Sequence, residues 1–294
     1  MTVFASDVFA RTGGTSTPPQ LKLNSNTSAS GHTWIQTSEG LAIRTDLDEL
    51  GGTASAAGGN TRNFAGLNGA PSVADYTVEM TVKVLTTVDF TEGGPIARQP
   101  TAGANSGYAA VVNPNDSTFY LERYDSGTGT KISGDYAIDL TTLPATFKVA
   151  VKVEGNQISG LLDDVEVIAP VTDSTHTAAG FAGLYLRIKT AAFDDIVAKD
   201  FTATEVAGPS VTIGDDLQPG ASFTLTYDGF DAAPVSPATL TDAQGNSIPV
   251  AVTVTDTDTA GVHSGTAVGT YPALPSSGTA TGLLFGDVTV ELGT

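Results

Sequence analysis

The sequence contains no cysteine and few charged residues. Only 15% of its 294 residues are charged, and 13 Lys and Arg stand against 32 Asp and Glu, which gives a formal net charge of −19. The absence of cysteine excludes disulfide bridges and thiolate catalysis. A negative field of this size repels phosphate backbones and anionic lipid surfaces, so we expect neither nucleic acid nor a membrane as a partner.

Long hydrophobic runs are also missing. No apolar run approaches the roughly 20 residues that span a bilayer. The first residues show no basic stretch followed by an apolar one, so we expect no signal peptide and synthesis in a cytoplasm. Thr, Val, Gly and Asp are abundant, whereas the residues that mark long surface helices are sparse. Because Thr and Val favour strands while Gly and Asp favour turns, the composition predicts an all-β protein.

Apolar and polar residues alternate with a period of two in several segments. The clearest examples are Tyr76–Val84 and residues 147–153, where every second residue is apolar. This pattern predicts strands with one buried face. Shorter strands are expected at residues 21–23, 41–44, 108–112, 119–124, 157–162 and 181–188.

Small and polar residues separate these strands. Residues 154–156 and 125–129 have the composition of hairpin turns, and so does the pair Asp163 and Asp164. Two longer stretches rich in small residues, 51–60 and 93–107, are expected to be exposed loops.

A short polar segment with a proline, residues 205–210, predicts a domain boundary. We therefore expect one domain at residues 1–205 and a second at 206–294. Short strands spaced about 8–12 residues apart in the second domain predict an immunoglobulin-like β-sandwich. Its expected strands are residues 210–213, 222–227, 238–241, 248–255, 262–268 and 288–292.

Several segments of the first domain resemble the concanavalin A-like lectin and glucanase superfamily, in the form of its LamG-type jelly roll. The resemblance implies a jelly-roll sandwich in which the closing strand pairs near the opening strand. The second domain is similar to immunoglobulin-like or fibronectin-like domains appended to virion and surface proteins. The segments of the first domain that carry the resemblance are residues 7–11, 31–34, 95–98, 107–112, 119–124, 151–158, 179–184 and 193–196.

The catalytic pattern of the glucanases is missing. Those enzymes carry alternating carboxylates in a Glu-x-Asp-x-x-Glu pattern, and retaining hydrolysis needs two carboxyl groups about 5–5.5 Å apart. The nearest cluster here, Asp163, Asp164 and Glu166, has the composition of a solvated turn. No Gly-x-Ser-x-Gly elbow is present, and the three histidines lie far apart, outside zinc-ligand spacing. We therefore expect no enzymatic activity.

Carbohydrate binding needs an exposed aromatic platform, because sugar faces stack on rings. The available rings are Trp34, Tyr108, Tyr120, Tyr124 and Tyr136, and the first four are the candidate binding residues. Trp34 has a second interpretation, packing in the core. Tyr120 and Tyr124 flank Glu122 on one face of a predicted strand, but the opposite face also carries an aromatic and a charged residue. The alternation therefore leaves open which face is buried.

The resemblance also implies a structural calcium ion, held by clustered carboxylate oxygens. Asp194 and Asp195, joined by Asp7 when the sheet closes, are the candidate ligands, and Asp46 with Asp48 forms a second candidate pair. The alternative is that Asp194 and Asp195 end the last strand and face water. No other cofactor is expected.

Three functions are compatible with these features. The first is a non-enzymatic virion structural protein of a tailed phage, which decorates the capsid, forms a head fibre or joins the tail. Modules of extracellular type without cysteine or a signal peptide fit a particle that is assembled in the host cytoplasm and released by lysis. Such a protein would be displayed on the virion surface and contact other virion proteins. It would form a homo-oligomer that covers its edge strands, and it would bind a host glycan.

The second function is a carbohydrate-binding module of a bacterial surface or secreted protein. The third is an unrecognised glycan-active enzyme, which the missing carboxylate pattern disfavours.

Overall fold

The computed structural model describes residues 2–12, 20–24, 26–36, 40–52, 61–85, 91–188, 196–206, 210–213, 222–230, 236–242, 246–256, 263–270, 280–285 and 288–291. The chain divides into two compact units, Met1–Val206 and Ala207–Thr294, one residue beyond the boundary expected from the sequence. All regular elements within the described ranges are β-strands, so the protein is all-β, as predicted. The same ranges contain no helix long and apolar enough to cross a bilayer.

Unit 1 contains seventeen strands in the described ranges. They are β1 (Thr2–Asp7), β2 (Gln20–Lys22), β3 (Trp34–Gln36), β4 (Leu41–Arg44), β5 (Glu49–Gly52), β6 (Thr61–Leu67), β7 (Tyr76–Val84), β8 (Glu92–Gln99), β9 (Gly107–Asn113), β10 (Thr118–Asp125), β11 (Thr128–Lys131), β12 (Tyr136–Ala137), β13 (Phe147–Glu154), β14 (Gln157–Leu162), β15 (Val165–Thr172), β16 (Phe181–Ile188) and β17 (Ile196–Glu205).

These strands form two antiparallel sheets. The nine-stranded sheet has the order β15-β14-β13-β7-β17-β5-β4-β2, with β1 paired to β17. The eight-stranded sheet has the order β11-β10-β9-β8-β16-β6-β3, with β12 paired to β10. The first strand thus pairs with the last strand of the unit, as the jelly-roll resemblance implied.

One hydrophobic core lies between the two sheets. The alternating residues of β7 and β13 point into it, as the period of two predicted: Val78, Met80, Val149 and Val151 are fully buried. The expected hairpin turns are also confirmed, since β10 and β11, β13 and β14, and β14 and β15 are consecutive antiparallel pairs. Asp163 and Asp164 occupy the last of these turns, both at positive φ.

Two expectations about loops are wrong in part, since residues 100–106 do connect two strands as expected. Residues 93–99 belong to β8, a central buried strand, rather than to an exposed loop. Its glycines are required by close packing, because a Cβ on Gly94 would lie 1.7 Å from the Ala110 carbonyl oxygen. Gly51 and Gly52 end the buried strand β5, while residues 53–60 lie outside the described residues.

Unit 2 consists of two four-stranded antiparallel sheets in the described ranges, ordered β18-β19-β23-β22 and β21-β20-β24-β25. One hydrophobic cluster draws residues from both sheets, including Phe223 on β19 and Leu240 on β20. The strands are β18 (Ser210–Ile213), β19 (Ser222–Phe230), β20 (Ala238–Asp242), β21 (Ser247–Val250), β22 (Val252–Asp256), β23 (His263–Thr270), β24 (Ala280–Phe285) and β25 (Val288–Glu291).

One predicted strand of unit 2 is two strands. Residues 248–255 were expected to be continuous, but β21 and β22 belong to different sheets and are separated at residue 251. Val250 and Val252 are both buried, so the apolar run continues across the change of sheet and hides it from a pattern analysis.

Candidate functional site

The outer face of the eight-stranded sheet carries a second buried cluster, separate from the core. On β10, Phe119 and Leu121 point into the core, whereas Tyr120 and Tyr124 belong to the outer-face group. Glu122 lies between those two tyrosines, and alternation places it on the same face. The face opposite the core therefore carries a run of aromatic and acidic side chains.

Neighbouring strands complete the aromatic part of this cluster. On β16, Tyr185 alternates with the core residues Leu184 and Leu186, and it pairs in register with Phe64 on β6. The Phe64 and Tyr185 rings stack with centroids 5.1 Å apart, and the Tyr124 ring lies 5.0 Å from each of them. Contacts of this kind rigidify the cluster and fix the positions of its hydroxyl groups.

Two carboxylates accept hydrogen bonds from these tyrosines. The Glu92 carboxylate accepts from the hydroxyls of Tyr120 (3.0 Å) and Tyr185. The Glu122 Oε2 atom accepts from the Tyr124 hydroxyl at 2.6 Å. Both glutamates are less than 10% exposed, at 5% and 8%. We define the outer-face cluster as Phe64, Glu92, Tyr120, Glu122, Tyr124 and Tyr185.

Burial controls the protonation of the outer-face cluster. Burial raises the pKa of the Glu122 carboxyl, the hydrogen bond from Tyr124 lowers it, and the charge of Glu92 raises it again, with a net increase. Burial, together with neighbouring charges, raises the pKa of Tyr120, Tyr124 and Tyr185 well above the ordinary value. The tyrosine hydroxyls therefore stay protonated and act as donors to the glutamates at neutral pH.

Three basic residues adjoin the outer-face cluster. Arg187 pairs in register with both Glu92 and Arg62, so a charged row crosses β8, β16 and β6. The Arg187 Nη1 atom donates to Glu92 Oε1 at 2.9 Å. The Arg62 guanidinium carbon lies 5.8 Å from the centre of the Tyr124 ring. On β11, the Lys131 Nζ atom lies 3.9 Å from the centre of the Tyr120 ring, a cation–π distance.

Gly129 leaves room for the Glu122 side chain. Gly129 pairs with Tyr124 across β10 and β11, on the face that carries the cluster. A Cβ at this position would lie 1.9 Å from Glu122 Oε1 and 3.0 Å from the Tyr124 ring. Only glycine therefore permits the observed position of the Glu122 carboxylate.

The outer face of the nine-stranded sheet carries partly exposed polar side chains instead of a buried aromatic cluster. Its β7 residues Thr77, Glu79, Thr81 and Lys83 are partly exposed. Glu79 forms an ion pair with Lys148 at 3.3 Å. This is the ordinary solvated face of a sandwich, so the outer-face cluster is a special feature of the eight-stranded sheet.

The rings considered for carbohydrate binding lie in three places, and Tyr136 on β12 is the exposed one among them, at 41%. Tyr120 and Tyr124 lie together in the outer-face cluster, but at 6% and 0% exposure their ring faces are covered. Trp34 and Tyr108 are core residues with no exposure, so the expectation that they offer an exposed platform is wrong. Trp34 packs against the aromatic rings of Phe9 and Phe201 instead.

Tyr108 has a structural role at the edge of the core. Its hydroxyl donates to Asp173 Oδ1 at 2.8 Å and accepts from the His176 amide at 3.0 Å. Asp173 also forms an ion pair with Arg123 at 2.7 Å. Burial raises the pKa of Asp173, but hydrogen bonds from Thr175, Tyr108 and Arg123 outweigh it and hold the pKa well below the ordinary value.

The candidate calcium ligands can be placed only in part. Asp7 is fully buried, and its carboxylate accepts hydrogen bonds from the Phe9 amide (3.1 Å), Arg11 Nη2 (2.7 Å) and Trp34 Nε1 (2.6 Å). Protein donors thus already surround the Asp7 oxygens, and Arg11 balances their charge. Asp194 and Asp195 lie outside the described residues.

The second candidate pair does not form a cation site in the structure. Asp46 forms an ion pair with Arg44 at 2.6 Å, and Asp48 lies in the following turn at positive φ. Across the described ranges, no group of three or more His, Cys, Asp or Glu residues is arranged to hold a metal ion.

Sequence analysis missed three members of the outer-face cluster and its three basic neighbours: Phe64, Glu92, Tyr185, Arg62, Lys131 and Arg187. Glu92 and Tyr185 are separated by 93 residues in the chain and meet only through the pairing of β8 and β16. The one available signal was the alternation of tyrosine and glutamate at residues 120–124, opposite the apolar residues of the same strand.

No family model matches this sequence, and no curated protein matches it. Among solved structures, it is similar to the carbohydrate-binding module CBM66 from Bacillus subtilis, with 19% identity and a TM-score of 0.43 over 63% of this chain and 95% of that one. It is also similar to the CBM2 module of the evolved Dit of Lactobacillus casei BL23 phage J-1, with 13% identity and a TM-score of 0.44 over 70% and 97%.

A third similar structure is the Ca2+-bound exoplasmic/lumenal domain of VIP36, with 8% identity and a TM-score of 0.45 over 65% of this chain and 92% of that one. At these identities and TM-scores, the similarities carry no inference about what this chain binds.

Proposed function

We propose that unit 1 binds a glycan on the outer face of its eight-stranded sheet. The observation that carries this proposal is the outer-face cluster, which places two carboxylates and three tyrosine hydroxyls on the side of the sheet that does not form the sandwich core. Burying such groups costs free energy, and the core does not require them. Recognition of sugar hydroxyls needs rigid, convergent donors and acceptors of this kind.

Binding of this type relies on hydrogen bonds more than on stacking. The rings of Tyr124 and Tyr185 are fully buried, so they support the polar groups from below. Arg62 and Arg187 are partly exposed, and Lys131 is exposed, so these side chains are accessible to a ligand. Glu92, held by Tyr120 and Tyr185, orients Arg187.

The experiment that tests this proposal is a glycan array followed by calorimetry on the full chain. Tyr120→Phe removes the hydroxyl that donates to Glu92 while keeping the ring. We expect it to weaken glycan binding about 3–10-fold, the value of one hydrogen bond. The matched control is Tyr136→Phe, because Tyr136 is exposed on β12. Equal effects of the two variants, or no effect of Tyr120→Phe, would argue against the proposed site.

Glu122 favours a second candidate, glycan hydrolysis. A carboxyl with a raised pKa beside a second carboxylate is the acid–base arrangement of many glycosidases. Binding remains our proposal because Glu92 is held by three donors, Tyr120, Tyr185 and Arg187, and so is poorly placed to act as nucleophile or base. Release of reducing ends by the wild type but not by Glu122→Gln would establish the enzyme instead.

We also propose a biological setting for this binding, the surface of a phage particle. A non-enzymatic virion protein of a tailed phage, displayed on the particle surface, would present unit 1 to host glycans. The support is the pairing of two β-units in a chain without cysteine and with a net charge of −19. In this setting unit 2 is an immunoglobulin-like domain, and other virion proteins and further copies of the chain cover the sheet edges. Mass spectrometry of purified particles tests this part: absence of the chain from every particle would exclude it.

A further inference from the structure

Arg62 lies in the charged row, and its guanidinium is incompletely paired. Its neighbour Arg187 is bound to Glu92, whereas no ion pair links Arg62 to any carboxylate in the described residues. The Arg62 Nε atom is buried, and it has no hydrogen-bond partner among the described residues. Its described neighbours are the Tyr124 ring, at 5.8 Å, and the Tyr185 hydroxyl, and the charge of Glu92 also acts on it.

The carboxylates of the outer-face cluster act on Arg62 through their charge, but neither forms an ion pair with it in the described residues. Glu92 accepts from Tyr120, Tyr185 and Arg187, and Glu122 accepts from Tyr124. The buried Nε atom of Arg62 is thus left without an acceptor, and a buried donor without a partner costs desolvation free energy. The folded site therefore holds a preformed guanidinium that is available to an anionic group from outside.

Basic residues are concentrated on this face, although the chain as a whole is strongly acidic. Three of the 13 basic residues of the chain, Arg62, Lys131 and Arg187, adjoin one cluster, although the formal net charge is −19. Lys131 is also bound to Asp135 at 2.6 Å, and Arg187 to Glu92, so Arg62 is the cation left for a ligand. Its planar donor fork fits the two oxygens of a carboxylate, sulfate or phosphate.

We propose that the glycan bound here is acidic, and that Arg62 binds its anionic group. This inference rests on the proposed glycan-binding function and specifies the class of ligand. A neutral sugar could also accept hydrogen bonds from Arg62, but only an anion would offer two charged acceptors to its donor fork.

The test compares pairs of ligands that differ only in charge. Oligogalacturonides and their methyl esters share the same sugar backbone, and arrays of sulfated and phosphorylated oligosaccharides distinguish the other sources of the anion. We expect the full chain to bind the acid and to lose at least about 10-fold in affinity for its methyl ester, the value of a charge-assisted hydrogen bond. This comparison needs no variant, so it is independent of any effect on folding.

A pair of variants then locates the anion. We expect Arg62→Gln to lower the affinity for the acidic ligand at least about 10-fold and to reduce the preference for acid over ester. Arg44→Gln is the matched control, because it removes the same charge from a surface arginine on β4 that is paired with Asp46. Arg62→Lys retains the charge without the fork and should restore part of the affinity.

The outcomes separate the two proposals. Equal binding of acid and ester, or unchanged binding of the acid by folded Arg62→Gln, would overturn the acidic-glycan inference and leave glycan binding intact. If the folded wild type bound no glycan of any class, the proposed function would fail and the inference would fail with it.

Discussion

Tyr124 and Glu122 lie two residues apart on one face of β10, and the Tyr124 hydroxyl donates a 2.6 Å hydrogen bond to Glu122 Oε2. The bond lies on the outer face of the sheet, where the pKa of Glu122 is raised chiefly by burial. Ionised Glu122 therefore lowers the free energy of unfolding relative to its protonated form. This relationship links the candidate site to the pH dependence of stability.

The first prediction concerns this effect on stability. The folded pKa of Glu122 exceeds its unfolded value of about 4.3, so the native state binds the proton more tightly and its stability falls as pH rises through this interval. Glu122→Gln removes the charge but keeps an acceptor for Tyr124. We expect the variant to melt at a higher temperature than the wild type at neutral pH, and the difference to vanish below about pH 4.

Thermal melts followed by circular dichroism over this pH range provide the measurement for Glu122→Gln. Glu154→Gln is the control, since Glu154 is a more exposed residue paired with Lys152. A lower melting temperature for Glu122→Gln at neutral pH, with Glu154→Gln unchanged, would show that the charged carboxylate stabilises the fold.

The second prediction concerns Asp7, which accepts from Phe9, Arg11 and Trp34 while fully buried. Asp7→Asn replaces one acceptor oxygen by a donor and leaves Arg11 without its counter-ion. We expect a loss of about 2–4 kcal/mol in the free energy of unfolding, measured by denaturant titration.

Calcium should not change the result for Asp7→Asn, because the oxygens of Asp7 already have protein donors. Asp46→Asn, at the exposed pair with Arg44, should leave the free energy of unfolding nearly unchanged. A melting temperature that rises with Ca2+ in the wild type but not in Asp7→Asn would instead support the calcium site inferred from the resemblance.

The third prediction concerns Asp173, whose pKa is lowered by its hydrogen bonds despite burial. A lowered pKa contributes stability above the unfolded value of about 3.9, and this contribution is lost as pH falls through the folded value. We expect Asp173→Asn to cost about 1–3 kcal/mol at neutral pH, because it weakens bonds from Arg123 and Tyr108. The difference from the wild type should shrink below about pH 4.

Denaturant titrations at neutral and acidic pH measure the effect of Asp173→Asn. Asp164→Asn provides the control, since the exposed Asp164 pairs only with Lys148 in the described residues and asparagine tolerates its positive φ. If Asp173→Asn lost the same free energy of unfolding at every pH, the charge of Asp173 would not contribute to the stability of the fold.

The fourth prediction uses the tight contact at Gly129. Gly129→Ala would force the Glu122 carboxylate to move, because the new Cβ would lie 1.9 Å from Oε1. We expect at least about a 10-fold loss of glycan affinity with about 1–3 kcal/mol of destabilisation. Gly134→Ala is the control, since no atom lies within 4 Å of its Cβ position. If folded Gly129→Ala kept the full glycan affinity, the position of the Glu122 carboxylate would not matter for ligand binding.

The sequence pattern predicted those strands and turns whose residues strongly prefer one secondary structure. β7 and β13 alternate strictly, and the hairpin turn at Asp163 and Asp164 has unambiguous composition. β8 was missed because Gly93, Gly94 and Pro95 have low strand propensity. Contacts with β9 and β16 override that propensity, and no local window contains them.

The candidate site was predicted only where one strand contains it. Tyr120 and Tyr124 were identified together with the shared face of Glu122, since their spacing of two is visible in the sequence. Glu92 and Arg62 come from other strands, and their placement depends on sheet order. Sheet order is fixed by long-range pairing, which a single sequence does not reveal.

The pairing of Thr2 with Glu205 brings the two termini of unit 1 side by side on one ribbon of backbone. Neighbouring strands lie about 5 Å apart, so residues 2–205 enter and leave at almost the same point. Such a unit can be inserted into a hairpin turn of another protein, because its two ends fit between adjacent residues of that turn without distorting the strands. The same closeness permits a circular permutant whose old ends are joined by a few glycines.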